Sequence, residues 1–457
     1  MLKKFICLLA AVFLMMNSMA SFAEEKASGV DISESSIVNV KFTPLLFVAS
    51  PDGRRIAYVA QAEGKQFVVI DGKEGKPYDG VGSTLTFSPD SKRVAYSVRM
   101  GNKGFVIIDG KEGKYYDGIG TNLIFSPDSR HLAYRAQAGN KQVIVIDGKE
   151  EKQYDAVGTA FIFSSDSRRL VYSAKKENKS FVIVDGKEGK SYDGIGSNLV
   201  FSPDSRHVAY GAQSGNKQFV VVDDKEGKYY DGIGSDLVFS PDSKSMAYWA
   251  LSGKKRFAVI NEKEEKQYDV IRPGFIFSPD SRHLAYVVHE GKKMIVILDG
   301  QEGKSYDGIG ATLIFSPDSK RIAYAAQSEK KRFVVAGGQE GKSYDSIGST
   351  LVFSPDSKRM AYVAQSGNNW FIVADGKEGK QYENIGNGTF VFSPDSRHVA
   401  YGAQSGNKRL VIVDEREGKH YDNVMRGSIV FDSLDSLHYL AARDTNIFLV
   451  EVKIKGN

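Results

Sequence analysis

Cysteine is almost absent from this 457-residue sequence, which contains one. That residue, Cys7, lies inside the apolar run Phe5 to Met16, which follows the basic pair Lys3-Lys4. The run is too short to span a bilayer as a helix, and Ser21-Phe22-Ala23 offers a small-x-small cleavage site after it. We therefore predict a secretory signal peptide over residues 1–23 rather than a membrane anchor.

Cleavage after Ala23 leaves a chain without cysteine, which excludes disulfides, a thiolate nucleophile and Cys-ligated metals. An exported chain without disulfides is typical of a bacterial periplasm or cell exterior. Loss of the two leader lysines lowers the formal net charge from +5 to +3, which is too small a bias to indicate nucleic acid or a membrane surface. We predict a periplasmic or extracellular protein with no nucleic-acid partner and no membrane span after cleavage.

Helical periodicity is also missing, and a repeat of 38 residues stands in its place. Ser-Pro-Asp or a close variant begins at Ser50, Ser88, Ser126, Ser164, Ser202, Ser240, Ser278, Ser316, Ser354 and, one residue late, Ser393. An eroded eleventh copy follows at Phe431 to Ser436. Such similar units within one chain indicate duplication of a single module.

Each unit has the pattern of four short strands separated by turns. In residues 121–155 the predicted strands are Asn122 to Phe125, His131 to Ala136, Val143 to Ile146 and a polar stretch through Gln153-Tyr154. Four antiparallel strands in about forty residues form the blade of a β-propeller. We predict an all-β propeller of ten to eleven repeats over residues 36–457, with a flexible segment at 24–35.

A family resemblance rests on the run Phe-Ser-Pro-Asp-Ser-Arg-His-Val-Ala-Tyr at Phe201 to Tyr210. It resembles the WD-repeat-like repeat of TolB-type periplasmic propellers, and similar repeats occur in prolyl-oligopeptidase-type peptidases. The resemblance covers residues 45 to about 453 and implies an exported propeller without specifying a ligand. The sequence departs from both families, because we find neither a separate N-terminal α/β domain nor a hydrolase domain.

Counting first strands from Leu45 through Ile429 gives eleven blades, and the last unit lacks its fourth strand. Ile37 to Phe42 falls in the register of that strand, so we predict that it completes the C-terminal blade and removes an exposed sheet edge. Eleven blades exceed the usual four to eight. We expect one large ring, with two tandem smaller propellers as the alternative, divided at Glu150-Glu151 or Glu264-Glu265.

No catalytic constellation stands out. Four of the seven histidines fill one repeat slot on different blades, so they cannot share a metal. A Gly-x-Ser-x-Gly elbow and the spacing of a serine triad are missing from the sequence. The Gly-Ile-Gly of residues 118–120 is followed by a strand, whereas the glycines of a dinucleotide-binding motif are followed by a helix. The loop Asp71 to Lys76 contains lysines that would repel Ca²⁺, which opposes a calcium site there. We predict no cofactor, no metal and no enzymatic activity.

One position near the predicted channel mouth varies among otherwise similar units. We predict binding residues there, namely Thr84, Asn122, Asn198, Asp236, Thr312 and Thr350. The other units carry Ala160, Gly274 and Thr389. The slot after Ala-Tyr varies too, from Gly211 to Trp249. Variation inside a regular frame indicates either a binding surface or neutral drift at exposed sites.

These observations together predict an exported binding or scaffold module of the cell envelope, whose partner is a protein or an envelope polysaccharide. The alternative is a polysaccharide-active enzyme, a lyase or hydrolase, that works in the channel mouth. Asp236 is its best candidate residue, because it is a single acid that breaks the repeat.

Overall fold

The computed structural model describes residues 29–386 and 390–455. These residues form eleven antiparallel sheets, so the predicted all-β propeller of 38-residue blades is confirmed. Its described elements are all strands, and none of the described residues forms a helix that could cross a membrane. The predicted signal peptide at 1–23 lies outside the described residues. Blades are numbered one to eleven along the chain.

The first and second strands of the blades are the inner ones. The first strands are Leu46–Ala49, Gly80–Phe87, Gly118–Phe125, Ala156–Phe163, Gly194–Phe201, Gly232–Ile233 with Val238–Phe239, Val270–Ile271 with Ile276–Phe277, Gly308–Phe315, Ser346–Phe353, Asn384–Ile385 with Val391–Phe392, and Asn423–Val424 with Val430–Phe431. The second strands are Ile56–Ala62, Val94–Met100, Leu132–Ala138, Leu170–Lys176, Val208–Ser214, Met246–Ser252, Leu284–Glu290, Ile322–Ser328, Met360–Ser366, Val399–Ser405 and Ser436–Arg443.

The third and fourth strands lie further out. The third strands are Lys65–Ile70, Lys103–Ile108, Lys141–Ile146, Lys179–Val184, Lys217–Val222, Lys255–Ile260, Lys293–Leu298, Lys331–Ala336, Asn369–Ala374, Lys408–Val413 and Asn446–Ile454. The fourth strands are Lys73–Glu74, Lys111–Glu112, Lys149–Glu150, Lys187–Tyr192, Lys225–Glu226, Lys263–Tyr268, Gln301–Tyr306, Gln339–Glu340, Lys377–Glu378 and Arg416–Glu417. Val30–Asn39 is the fourth strand of blade eleven.

The blades form one closed ring. An apolar cluster joins each blade to the next, and another joins blade eleven to blade one through Val38, Ile56, Leu440 and Ile447. The expectation of one large ring rather than two tandem propellers is therefore confirmed. First strands of neighbouring blades also pack against one another, so they line the central channel.

The N-terminal strand closes the ring as predicted, but over a different range. Val30–Asn39 pairs antiparallel with the last strand, with Val30 opposite Ile454 and Asn39 opposite Asn446. The paired segment therefore begins at Val30 rather than at residue 36 or 37. Its register places Glu34 against the Tyr421 hydroxyl, which donates a hydrogen bond to the carboxylate. In other blades a tyrosine at or just after the fourth strand makes this contact with the next blade, as Tyr154 does with Glu188 at 2.9 Å.

Polar residues of the repeat also join the blades on the face that carries the Ser-Pro-Asp turns. The backbone N–H of Asp90 donates to the hydroxyl of Ser129 in the next blade at 2.9 Å, and the same bond recurs from Asp52 to Asp356. We call this surface the Ser-Pro-Asp face. These turns therefore hold neighbouring blades together, and Ser129 adopts a left-handed φ of 66° in its turn.

On the opposite face, the aspartate of each Tyr-Asp-Gly segment joins two blades. Asp117 accepts hydrogen bonds from the Lys103 ammonium of blade two at 2.6 Å and from the Gly139 N–H of blade three at 2.6 Å. On the outer edge, Lys114 pairs with Glu150 of the following blade at 2.7 Å. The most regular charged residues of the sequence therefore stabilise the ring.

The first strand is longer than predicted. In blade three it begins at Gly118 rather than Asn122, and its register shifts between Ile119 and Leu123. A β-bulge of this kind re-aims side chains while the strand continues. The position that varies among the repeats lies within this irregular stretch.

Candidate functional site

The predicted binding position lies midway along the channel wall, where its side chain reaches the next blade. The Asn122 amide donates to the carbonyl of Thr159 at 2.9 Å, and the Thr312 hydroxyl donates to that of Ser349 at 2.8 Å. Thr84 donates to the carbonyl of Thr121 in the same way. These three side chains therefore join first strands, and a contact with a ligand stays a prediction for them.

The ring brings the six predicted residues together only in pairs on adjacent blades. The pairs are Thr84 with Asn122 on blades two and three, Asn198 with Asp236 on blades five and six, and Thr312 with Thr350 on blades eight and nine. Thr389 lies outside the described residues. The middle pair differs from the others, because its surroundings depart from the repeat.

Asp236 is a half-buried carboxylate in the channel wall of blade six. Its Oδ2 accepts a hydrogen bond from the Gly274 N–H of blade seven at 2.8 Å. Its Oδ1 is buried and has no hydrogen-bond partner in the described part of the chain. Burial raises the pKa of Asp236 above its ordinary value of 3.8, although the backbone amides of Gly274 and Phe275 oppose the shift. The site thus contains an acid that holds its proton more strongly than a surface aspartate.

Trp249 stands beside this acid and fills the variable slot after Ala-Tyr. Its indole covers Gly234 of the first strand, where a Cβ atom would clash with the ring. The buried indole N–H is a donor close to the Asp236 carboxyl, and it opposes the rise in the pKa of that group. On the other side, the Arg256 guanidinium lies 4.8 Å from the ring centroid, within cation–π range. An acid, an indole and a guanidinium therefore occur together on one blade.

A cavity of about 260 Å³ lies between blades five and six, and we call it the channel cavity. It exists because two glycines face each other in blade five. The Cβ position of Gly196 is 3.8 Å from the Cα atom of Gly211. A Cβ atom on Gly211 would lie only 2.8 Å from Cδ1 of Ile233, so a side chain there fills the space.

The lining of the channel cavity is uncharged, and it combines polar side chains with the apolar Ile195, Ala212 and Ile233. Its polar side chains are Asn198, Gln213, Gln218 and Ser235. The Gln218 carbonyl oxygen accepts from the Ile233 N–H at 3.0 Å, which fixes the orientation of that amide. Amides and hydroxyls both donate and accept, so this lining suits a neutral ligand with several hydroxyl groups.

The sequence identifies Asn198 and Asp236 as variable positions, but it does not indicate the cavity between their blades, which Asn198 lines. The available signal was the coincidence of Gly196 and Gly211, which the sequence does not identify as facing each other. The histidines of the repeat slot form hydrogen bonds with aspartates at the Ser-Pro-Asp face, as His131 does with Asp147 at 2.7 Å. Across residues 29–386 and 390–455, no group of three metal-ligating side chains is placed to hold an ion.

Comparisons with known proteins show solved structures of low similarity to this chain. No family profile matches the chain, and no curated protein sequence matches it. Among solved structures, a eukaryotic initiation factor is 15% identical, with a TM-score of 0.42, covering 72% of this chain and 96% of its own. The β-propeller domain of the Trilobed protease from Pyrococcus furiosus, described as having an open velcro topology, is 15% identical with a TM-score of 0.29, covering 55% and 91%. TolB from Acinetobacter baumannii is 11% identical with a TM-score of 0.26, covering 60% and 78%. Scores of this size carry no argument about function.

Proposed function

We propose that this protein is an exported binding module of the cell envelope, and that its ring holds a polysaccharide without transforming it. A neutral sugar unit sits in the channel cavity between blades five and six. The observation that carries the proposal is the uncharged lining with three side-chain amides and one hydroxyl, because sugar hydroxyls pair with such groups. Export rests on the signal peptide predicted from residues 1–23.

The regular contacts between blades support a role in binding. They hold Asn198 and the two glutamines on a rigid frame, and a preformed site spends little free energy on ordering when a ligand enters. Trp249 extends the site along the channel wall, and aromatic rings contribute apolar area beside polar groups. Repeated blades around the channel also suit a partner that is itself repetitive.

The test is a retention assay on immobilised envelope polysaccharides. Gly211→Val fills the channel cavity with a side chain that the same slot carries at Val287 and Val363. We expect wild-type protein to be retained and this variant to bind about tenfold or more weakly. Ala325→Val makes a similar change on blade eight and serves as the control.

The thermal melting point of each variant shows whether the ring remains folded. Equal retention of folded Gly211→Val and wild-type protein would contradict the assignment of the cavity. Retention of no polysaccharide by the wild type would overturn the polysaccharide proposal, and capture of an envelope protein instead would favour a protein partner.

The alternative function, a polysaccharide-active enzyme, draws support from the raised pKa of Asp236. A general acid needs a proton that is retained near the working pH. Most glycoside hydrolases also use a second carboxylate opposite the first. Turnover of a polysaccharide that disappears in Asp236→Asn while retention is kept would favour the enzyme over the binding module.

A further inference from the structure

Arginine side chains join blades on the Ser-Pro-Asp face in a way that shows what each blade edge can bind. The Arg93 guanidinium lies 5.2 Å from the ring centroid of Phe125 in the next blade. Its Nη1 donates to the carbonyls of Ser129 at 3.2 Å and Arg130 at 2.8 Å. The equivalent arginines that repeat both kinds of contact are Arg55, Arg169 and Arg359. The edge of a blade is therefore a guanidinium site, which the preceding blade fills.

Blade three carries His131 where these blades carry arginine. The His131 ring pairs with Asp147 of its own blade at 2.7 Å and lies 6.4 Å from the ring of Phe163. Histidine is too short to reach further, so the carbonyls of Ser167 and Arg168 accept no hydrogen bond from any residue that the structure describes. A cavity of about 550 Å³ lies at this position, and we call it the edge cleft.

A second departure from the repeat places a negative charge in the edge cleft. Most blades have glycine in the Lys-Glu-Gly-Lys segment where blade three has Glu151. The Glu151 side chain is half-buried, and its Oε2 lies 3.1 Å from the Cβ position of Gly186 in blade four. It forms no ion pair with another described residue, whereas Glu150 beside it pairs with Lys114.

The buried Tyr172 hydroxyl also lines the edge cleft without a hydrogen-bond partner in the described chain. Blade six carries a similar departure, with Glu265 in the glycine slot and Ser245 in the arginine slot, so the carboxylate distinguishes the edges that follow blades three and six from the others. The charged side chains of the lining are four carboxylates and three guanidinium groups, which favours a cation by one charge.

We infer that the edge cleft between blades three and four binds an arginine side chain of a partner protein. The incoming guanidinium lies over Phe163, donates to the carbonyls of Ser167 and Arg168, and is balanced by Glu151. Arginine fits better than lysine, because a planar fork both stacks on a ring and donates to two acceptors. The cleft lies on the face opposite the Tyr-Asp-Gly segments, and the inference does not depend on the channel cavity.

The probe is the peptide acetyl-Gly-Arg-Gly-amide, titrated into the full chain by ligand-observed NMR. The matched probes replace arginine with citrulline, which has the same shape without the charge, and with lysine. We expect the arginine peptide to bind the chain and the other two probes to bind about tenfold or more weakly. Equal binding of the citrulline peptide would overturn the inference.

Two variants locate the site. His131→Arg supplies the chain's own guanidinium, as in blades one, two, four and nine, and is expected to remove the binding at the edge cleft while the melting point is unchanged. Glu151→Gly restores the repeat residue and should weaken binding about tenfold. The control is His283→Arg, which makes the same substitution on blade seven, where the following segment keeps Gly303.

The control should bind the arginine peptide as the wild type does. Unchanged binding in folded His131→Arg, or an equal loss in His283→Arg, would show that the peptide binds elsewhere. Either result contradicts the assignment of the edge cleft.

Discussion

Removing the carboxylate of Glu34 should open the ring where its two ends meet. This side chain is 15% exposed and accepts hydrogen bonds from the Tyr421 hydroxyl and, at 2.9 Å, from the Arg443 guanidinium. Each hydrogen bond to a charged group contributes roughly 1.5–3 kcal/mol. The Arg443 side chain is 37% exposed, so solvent screening reduces the contribution of its hydrogen bond to about 1.5 kcal/mol or less.

Glu34→Ala also leaves the Tyr421 hydroxyl buried without an acceptor, since Tyr421 is 0% exposed. We therefore expect the variant to lose about 3 kcal/mol of local stability at the closure. That loss corresponds to about a hundredfold rise in the opening equilibrium of the N-terminal strand. Hydrogen exchange measures this opening directly, residue by residue.

The assay is hydrogen exchange with mass spectrometry at neutral pH, and the readout is the exchange rate of Val30–Asn39 and of its partner strand. The control is Glu188→Ala, which removes a similar pair of contacts, to Tyr154 and Lys152, inside the ring. It should speed exchange at blades three and four and leave the closure unchanged. An increase of less than about threefold in the exchange rate of the closure in Glu34→Ala, or an equal increase in the control, would refute this role of Glu34.

The stabilisation of the closure by Glu34 should depend on pH, in a direction that follows from the pKa of Glu34. Burial by itself would raise the pKa of Glu34, but hydrogen bonds from Tyr421 and Arg443 outweigh it and hold the pKa below its ordinary value of 4.5. Its contribution to stability is therefore complete above pH 4.5 and is lost as the pH falls through the folded-state pKa. The difference in closure exchange between Glu34→Gln and wild type should shrink as the pH drops below 4.5.

Two further substitutions test single positions by urea unfolding. Gly53→Ser introduces the residue found in the other turns, yet we expect it to destabilise the ring by about 1–2 kcal/mol. The reason is that a Cβ atom at this position lies 3.1 Å from His438 Nε2 and from the Ser428 carbonyl oxygen. An unchanged unfolding midpoint would contradict this close contact. Asp236→Asn should raise the midpoint at pH 7, because it removes a half-buried charge whose pKa burial has raised. The two proteins should converge as the pH falls below 3.8, and a gap that persists there would contradict the role of charge.

The repeat made most of the fold predictable from sequence. A period of 38 residues with turn signals between apolar stretches determines the number and order of strands, and the unpaired stretch near Ile37 indicated how the ring closes. Strand bounds were less predictable, because Gly118 to Gly120 has no apolar alternation and looked like a connection. The register of the closing strand places Glu34 against Tyr421, a residue 387 positions away in the sequence, so the local pattern does not indicate this contact.

The possible division at Glu150-Glu151 was not a boundary between domains. Ile144, Val157 and Tyr172 are buried in one cluster that packs blade three against blade four. The irregular residues there change a surface cleft and leave the apolar interface intact. A local break in a repeat therefore need not break the core beneath it.

The candidate sites could be predicted only in part. The sequence identifies Asn198 and Asp236 as variable, but a cavity depends on which side chains face each other across two blades. Gly196 and Gly211 are unremarkable in a chain with 46 glycines until the fold places one opposite the other. The same holds for Glu151 and the edge of blade four, since the repeat alone does not indicate that Gly186 is its neighbour.

The consensus residues of the repeat join neighbouring blades, which indicates that binding residues lie at the positions that depart from the consensus. Each consensus contact, such as the bond from the Asp90 N–H to Ser129, recurs around the ring and joins neighbouring blades. The stability of a repeat array is close to a sum of contacts between neighbouring repeats, so the consensus residues account for the stability of the ring. Their side chains are used in these contacts and leave few groups for binding or catalysis. Recognition must then rest on residues that depart from the consensus. Gly211, whose slot holds glycine again in blade ten, and Glu151, whose slot holds glutamate again in blade six, both qualify by position, because each lies at a cavity between blades whose core contacts are intact.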